Sequence, residues 1–235
     1  LHGRGNKNGE GAGSRLLVYQ MAEEPEQPWK VDLIDDEYHV THNFDVAATR
    51  HDADGEDLFY LGREGAKRIR LRDGQWHRER LLGIKGGGEI RFGRNAAGVS
   101  FLSTIEPFHG TDLVLYETKM SPENKPLPFA QRTVLDSKLN QGHAIAVGDF
   151  FGNGEAQIVA GWRKPNEDGK FGIKIYFAEP SDGPERKWNS FFVDENTMAC
   201  EDLRAADLNG DGRLDIVASG RSTHNLKIYW NLPSN

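Results

Sequence analysis

A single cysteine, Cys200, leaves no internal disulfide framework to organise this 235-residue chain, and it leaves the redox compartment open. It is read as a small buried apolar residue. No stretch approaches the ~18 apolar residues of a membrane-spanning helix, so no membrane insertion is expected. Cationic excess is missing too, since 29 Lys and Arg stand against 36 Asp and Glu for a net charge of −7. Nucleic acid and anionic lipid are bound through clustered Lys and Arg, so neither is expected as the main partner. Long helical periodicity is absent, as is the composition of disordered or collagenous chains. The chain opens Leu1-His2-Gly3 without a methionine or a signal-peptide pattern.

What is present is glycine, at 27 residues, with aromatics at 10% and short apolar runs, which together favour an all-β chain rich in tight turns. One short pattern recurs five times: Leu16-Leu17-Val18-Tyr19, Arg68-Ile69-Arg70-Leu71, Leu113-Val114-Leu115-Tyr116, Ile173-Lys174-Ile175-Tyr176 and Leu226-Lys227-Ile228-Tyr229. Each reads as a strand. An outer strand follows four of them, over Trp29 to Asp35, Trp76 to Gly83, Phe129 to Asp136 and Trp188 to Asp194. Later copies are preceded by two more strands, as at 143–147 and 157–161, so the unit is four antiparallel strands. Equivalent turns at Gly154 and Gly212 lie 58 residues apart, and a four-stranded unit of roughly 50 residues is the size of a propeller blade. The reading is an all-β propeller in one domain over 1–235: half a blade at 1–40, blades at 41–85, 86–140 and 141–198, and an incomplete last blade at 199–235. About four to five blades are expected here, as the C-terminal part of a larger, seven-bladed ring.

Oxygen side chains fall at alternating positions of Asp207-Leu208-Asn209-Gly210-Asp211-Gly212-Arg213-Leu214-Asp215, with the Arg213 carbonyl at the seventh. Hard oxygen ligands at that spacing, with glycine for the sharp turn, suit Ca²⁺. An EF-hand would need a glutamate at position 12, where Ala218 stands, and flanking helices, where Ile216-Val217-Ala218 is a β-run. The segment resembles the FG-GAP/VCBS repeat family, which implies a propeller with structural calcium in the turn between first and second strands. A degraded copy keeps Asp149, Asn153 and Gln157; Ala48 replaces the first ligand in an earlier unit, and the loop is lost around Arg94-Asn95. A calcium loop fills readily at millimolar calcium, so extracellular or periplasmic residence is expected.

On the opposite face the loops entering each innermost strand hold His42, Glu89, His143 and Glu201 with Asp202. The loops joining second and third strands hold Arg4 and Lys7, Arg63 and Glu64, His109, Trp162 to Lys164, and Arg221 to His224. Histidines beside carboxylates can hold Zn²⁺ or Mn²⁺, or one can act as a general base; each can equally cap a strand. Arg163 and Arg221 can clamp a sugar carboxylate or phosphate, or be solvated. Trp162 can be a sugar-stacking platform or a packed inter-blade aromatic. His39, His51 and His77 read as surface.

The segment Glu106-Pro107-Phe108-His109-Gly110 and the strand start at His143 resemble the propeller domain of the aldos-2-ulose dehydratases. That resemblance implies elimination of water from an oxidised sugar, with His42, His109 and His143 as metal ligands or base; Trp162, Arg163, Arg221 and His224 are the expected substrate-binding residues by their place on that face. A non-enzymatic propeller that binds a glycan or protein ligand stands beside it, because fold alone does not dictate chemistry.

Overall fold

The computed structural model describes residues 3–6, 8–49, 55–179 and 186–233. His2, Lys7 and His51, noted above, lie outside them. The described chain is all-β and antiparallel. A two-stranded ribbon, β1 (Leu16–Gln20) and β2 (Lys30–Asp35), precedes four sheets ordered as the chain runs. The first holds β3 (Thr41–Ala47), β4 (Asp57–Gly62), β5 (Gly65–Arg72) and β6 (Gln75–Leu81). The second holds β7 (Glu89–Arg94), β8 (Ser100–Glu106), β9 (Asp112–Met120) and β10 (Pro126–Asp136). The third holds β11 (Gly142–Gly148), β12 (Gln157–Trp162), β13 (Gly172–Ala178) and β14 (Trp188–Glu195). The last has three strands, β15 (Cys200–Ala206), β16 (Asp215–Gly220) and β17 (Asn225–Tyr229). These four sheets are the blades of a β-propeller, with β3, β7, β11 and β15 innermost.

Packing follows from that arrangement. A blade buries both faces against its neighbours, so middle strands are continuously apolar: β12 is buried at every residue, whereas the outer β6 is almost wholly exposed. Each core lies between successive sheets. Phe59, Leu61, Ile90 and Leu102 join the first two blades, Phe101, Ile105, Ile145 and Ile158 the next pair, and Val159, Ile173, Cys200 and Leu203 the last. Near the axis the sheets approach so closely that a Cβ on Gly161 would run into Cys200 Sγ. Cys200 is fully buried, and burial pushes its thiol far up, which makes it inert packing.

The recurring third-strand pattern also ties blade to blade. Lys174 and Tyr176 both bond Asp136 Oδ2, at 3.1 and 2.8 Å, across to the outer strand of the preceding blade. Lys227 and Tyr229 take Asp194 the same way, at 2.8 and 2.7 Å. Lys67 holds both oxygens of Asp35 at 2.8 Å, fastening the β1–β2 ribbon. Burial raises the Asp194 pKa, but bonds from Lys227, Thr197 and Tyr229 outweigh it and hold the carboxyl below its usual range. The second blade departs from this: β6 offers no aspartate at its end, and Tyr116 instead donates to Glu106 at 2.6 Å within its own sheet.

Candidate metal centre and adjoining basic cleft

Two of the three centre histidines occupy one repeat position, the second residue of an innermost strand: His42 on β3 and His143 on β11. The third, His109, comes from the β8–β9 turn that begins with the cis Glu106–Pro107 peptide, and it sits at φ +52°. Their ring centroids are 4.6 to 4.7 Å apart, and one nitrogen from each lies within 4.8 Å of the others. Among the described residues this is the one convergent group of three or more His, Cys, Asp or Glu ligand atoms.

Neighbouring blades orient the rings. His143 Nδ1 is 2.7 Å from the Glu201 carbonyl oxygen, which can only accept, so Nδ1 carries the proton and Nε2 keeps its lone pair. His42 Nδ1 lies 2.8 Å from Glu89 Oε1, off the line of a good hydrogen bond yet close enough for the carboxylate to favour a proton there. Glu89 is 1% exposed and is held by Asn43 Nδ2 at 2.7 Å. His109 Nε2 is buried without a hydrogen-bond partner. A carbonyl or carboxylate behind one ring nitrogen, with the other nitrogen free, is the arrangement that presents histidine to a metal. Phe108 packs edge-on against His42 at 5.4 Å and walls the centre with carbon.

Burial, then the neighbouring His143, His42 and Arg163, bring the His109 pKa down to about 4, and burial with Arg163 lowers His143 as well. Both rings are therefore neutral at pH 7, as ligation requires. An unfolded His109 takes up a proton near pH 6.5 while the folded one resists until about 4, so stability falls as pH drops through that window and levels off below it. After discounting for partial exposure the loss is about 2 kcal/mol. Urea unfolding in chelator between pH 7 and 4 should show this decline, and His109→Asn should flatten it.

Beside the centre, Glu201 receives Arg163 Nη1 at 3.0 and 3.3 Å, and Arg163 Nη2 donates to Gln141 Oε1 at 3.1 Å. Burial raises the Glu201 pKa, but Arg163, His143 and Arg221 together hold the carboxyl below its usual range. Gln141, Arg163, Lys164, Arg221, Ser222 and His224 line a cleft of about 670 Å³ that opens from this pair. No protein-family model matches the chain, and no curated protein matches it.

The structure thus gathers His42, His109 and His143, and sets Arg163, Arg221 and His224 along the adjoining cleft. Trp162 is a correction. It is 0% exposed, donates its indole N–H to the Lys170 carbonyl at 2.9 Å and packs against Phe192, so it cannot stack on a sugar. As the last residue of β12 it faces the neighbouring sheet rather than the loop above. Gln141 was not singled out in the sequence, where its residue type carries no signal, and Phe108 stood there only within the Glu106–Gly110 segment.

At the opposite turn, Asp207 accepts N–H groups from Gly210, Asp211 and Gly212 at 2.7 to 3.1 Å, and these bonds, Gly212 foremost, hold its pKa down. Asn209 and Asp211 each cap a backbone N–H two residues on. Asp215 is fully buried, accepts only from the Leu208 and Asn231 backbone N–H groups, and pairs with no cationic side chain among the described residues. In the first blade the equivalent Asp57 is met by Arg70 at 2.6 Å, and in the third the position is a neutral Gln157. A buried carboxylate lacking such compensation fits a cation at this loop, although its carboxylates do not meet at one point here.

Proposed function

We propose that this chain is a calcium-stabilised propeller of the FG-GAP/VCBS kind, whose three-histidine centre takes Zn²⁺ or Mn²⁺ and assists removal of water from an oxidised sugar. The convergence of the His42, His109 and His143 nitrogens carries this reading. An all-nitrogen set of neutral imidazoles suits Zn²⁺ better than Mn²⁺, which prefers oxygen ligands. When bound, the ion supplies Lewis acidity toward the oxygen that gains charge as a proton leaves the neighbouring carbon. The residues do the rest. The Glu201 carbonyl keeps the His143 proton on Nδ1 and leaves Nε2 as the ligand atom, and Glu89 beside His42 Nδ1 favours the same tautomer there. A base accepts the proton next to the carbonyl and returns it to the hydroxyl departing from the adjacent carbon, which leaves as water. Phe108 limits solvent access on one side.

The test is exchange of the carbon-bound proton of a 2-ketosugar in D₂O, with NMR detection of the unsaturated product. The metal-loaded protein is expected to catalyse both, and His143→Ala to lower the rate about 10²-fold or more. The exposure of Arg221 and His224 along an open cleft favours a binding role. Sugar binding without exchange or product at a metal-loaded centre would make that role the right one.

For the opposite turn, Ca²⁺ is expected to raise the unfolding midpoint, by about 2.7 kcal/mol at a hundredfold excess over its dissociation constant. Asp215→Asn should abolish that gain and cost a further 1–3 kcal/mol or so, since an amide cannot accept at both ends. Calorimetry with and without chelator checks both.

A further inference from the structure

We propose that the cleft beside the three-histidine centre is an anion subsite: the ligand presents a carboxylate or phosphate to Arg221 and Lys164 while its remainder reaches toward His143. This deepens the reading above and rests on it for the ligand being a sugar substrate.

The cleft is basic on a chain whose net charge is −7: Arg163, Lys164 and Arg221 line it, and no Asp or Glu does. The nearest carboxylate, Glu201, is already taken by Arg163, whose side chain is 10% exposed. Arg221 lies 3.7 Å from Glu201 with its side chain 69% exposed, so screening leaves that pair weak and the guanidinium available. Lys164 is exposed and pairs with no carboxylate among the described residues.

Their placement is built into the repeat. The residue that follows the second strand donates its backbone N–H to the lead-in of the innermost strand in three blades: Arg63 to Val40 at 2.8 Å, Arg163 to Gln141 at 3.2 Å, and Arg221 to Ala199 at 3.0 Å. All three are arginines. In the remaining blade that place is Pro107, which has no N–H, and the turn delivers His109 instead. One repeat position therefore turns cations, and once the third histidine, toward the same face. Arg163 forms the join: its Nη1 on Glu201 reaches the residue whose carbonyl orients His143, and its Nε is buried without a partner. A guanidinium and an ammonium one loop apart, beside a rigid arginine, suit a planar carboxylate or a phosphate.

The test is calorimetric binding of glucuronate, glucose 6-phosphate and glucose to the metal-loaded protein at pH 7 in low salt, before any turnover is sought. At least one anionic sugar is expected to bind about tenfold or more tightly than glucose, one charged contact's worth, and the better of the two identifies the anion. That preference should fall toward unity in Lys164→Ala/Arg221→Ala and in 0.5 M salt, or thereabouts, and return in part with Arg221→Lys. Both side chains are exposed, so the fold survives their loss. Equal binding of all three sugars, or a preference that persists in the double variant, overturns the proposal. Because binding is read without chemistry, absence of elimination leaves the subsite standing, and unselective turnover of neutral sugars removes it while leaving the lyase reading intact.

Discussion

Zn²⁺ added to chelator-treated protein is expected to stabilise it by several kcal/mol, and His109→Ala or His143→Ala to weaken that binding by more than a hundredfold. An ion that binds only the folded chain contributes RT ln(1 + [L]/Kd), about 4 kcal/mol at a thousandfold excess. The three nitrogens are already within 4.8 Å of one another, so little ordering opposes binding. Removing one of three ligands must cost more than losing an outer partner, for which 10–100-fold is typical. Glu89→Gln supplies that internal scale: it leaves the three ligands in place and changes the group behind His42, which also meets Asn43 and Arg91. The order expected by competition titration is wild type, then Glu89→Gln, then the alanine variants. Equal affinities across the series would mean zinc binds elsewhere.

Lys67→Met is expected to cost about 3–5 kcal/mol, the price of stranding a buried charge, against a total stability of roughly 5–15 kcal/mol. Lys67 and Asp35 side chains are 3% and 1% exposed, with the ammonium on both carboxylate oxygens and 4.5 Å from the Tyr38 ring centroid. Arg78, 3.9 Å away and 43% exposed, compensates little. The pair fastens the β1–β2 ribbon, so the variant should release that ribbon first, read as faster hydrogen exchange at Val18 and Leu33. Lys67→Met with Asp35→Leu should recover most of the loss, because no charge is then left buried. Urea midpoints of the two variants measure the difference.

The blade pattern was legible because the blades repeat much the same short-range statement: a third strand ending in tyrosine, or in Leu71 in the first blade, then an aromatic-led outer strand in all but the last. His42 and His143 were legible as a pair because they share a repeat position. Their environment was not. Glu89 reaches His42, and the Glu201 carbonyl reaches His143, across blade boundaries that no local period reports. The Lys-Ile-Tyr clasps on Asp136 and Asp194 sit inside segments that read only as strands, because the partner aspartate belongs to the preceding blade. Trp162 shows the converse: the sequence set it in a loop where sugar stacking and inter-blade packing both stood open, and the sheet packed over it decided for burial.

On the proposed reading, one transition metal sits among three histidines from three parts of the propeller. Anomalous scattering at the zinc and manganese edges, on crystals grown with those ions and without chelator, tests it most directly. A single strong peak bounded by His42, His109 and His143, lost in His109→Ala, is the expected result. Peaks elsewhere only, with the three rings unchanged and unliganded, would contradict it.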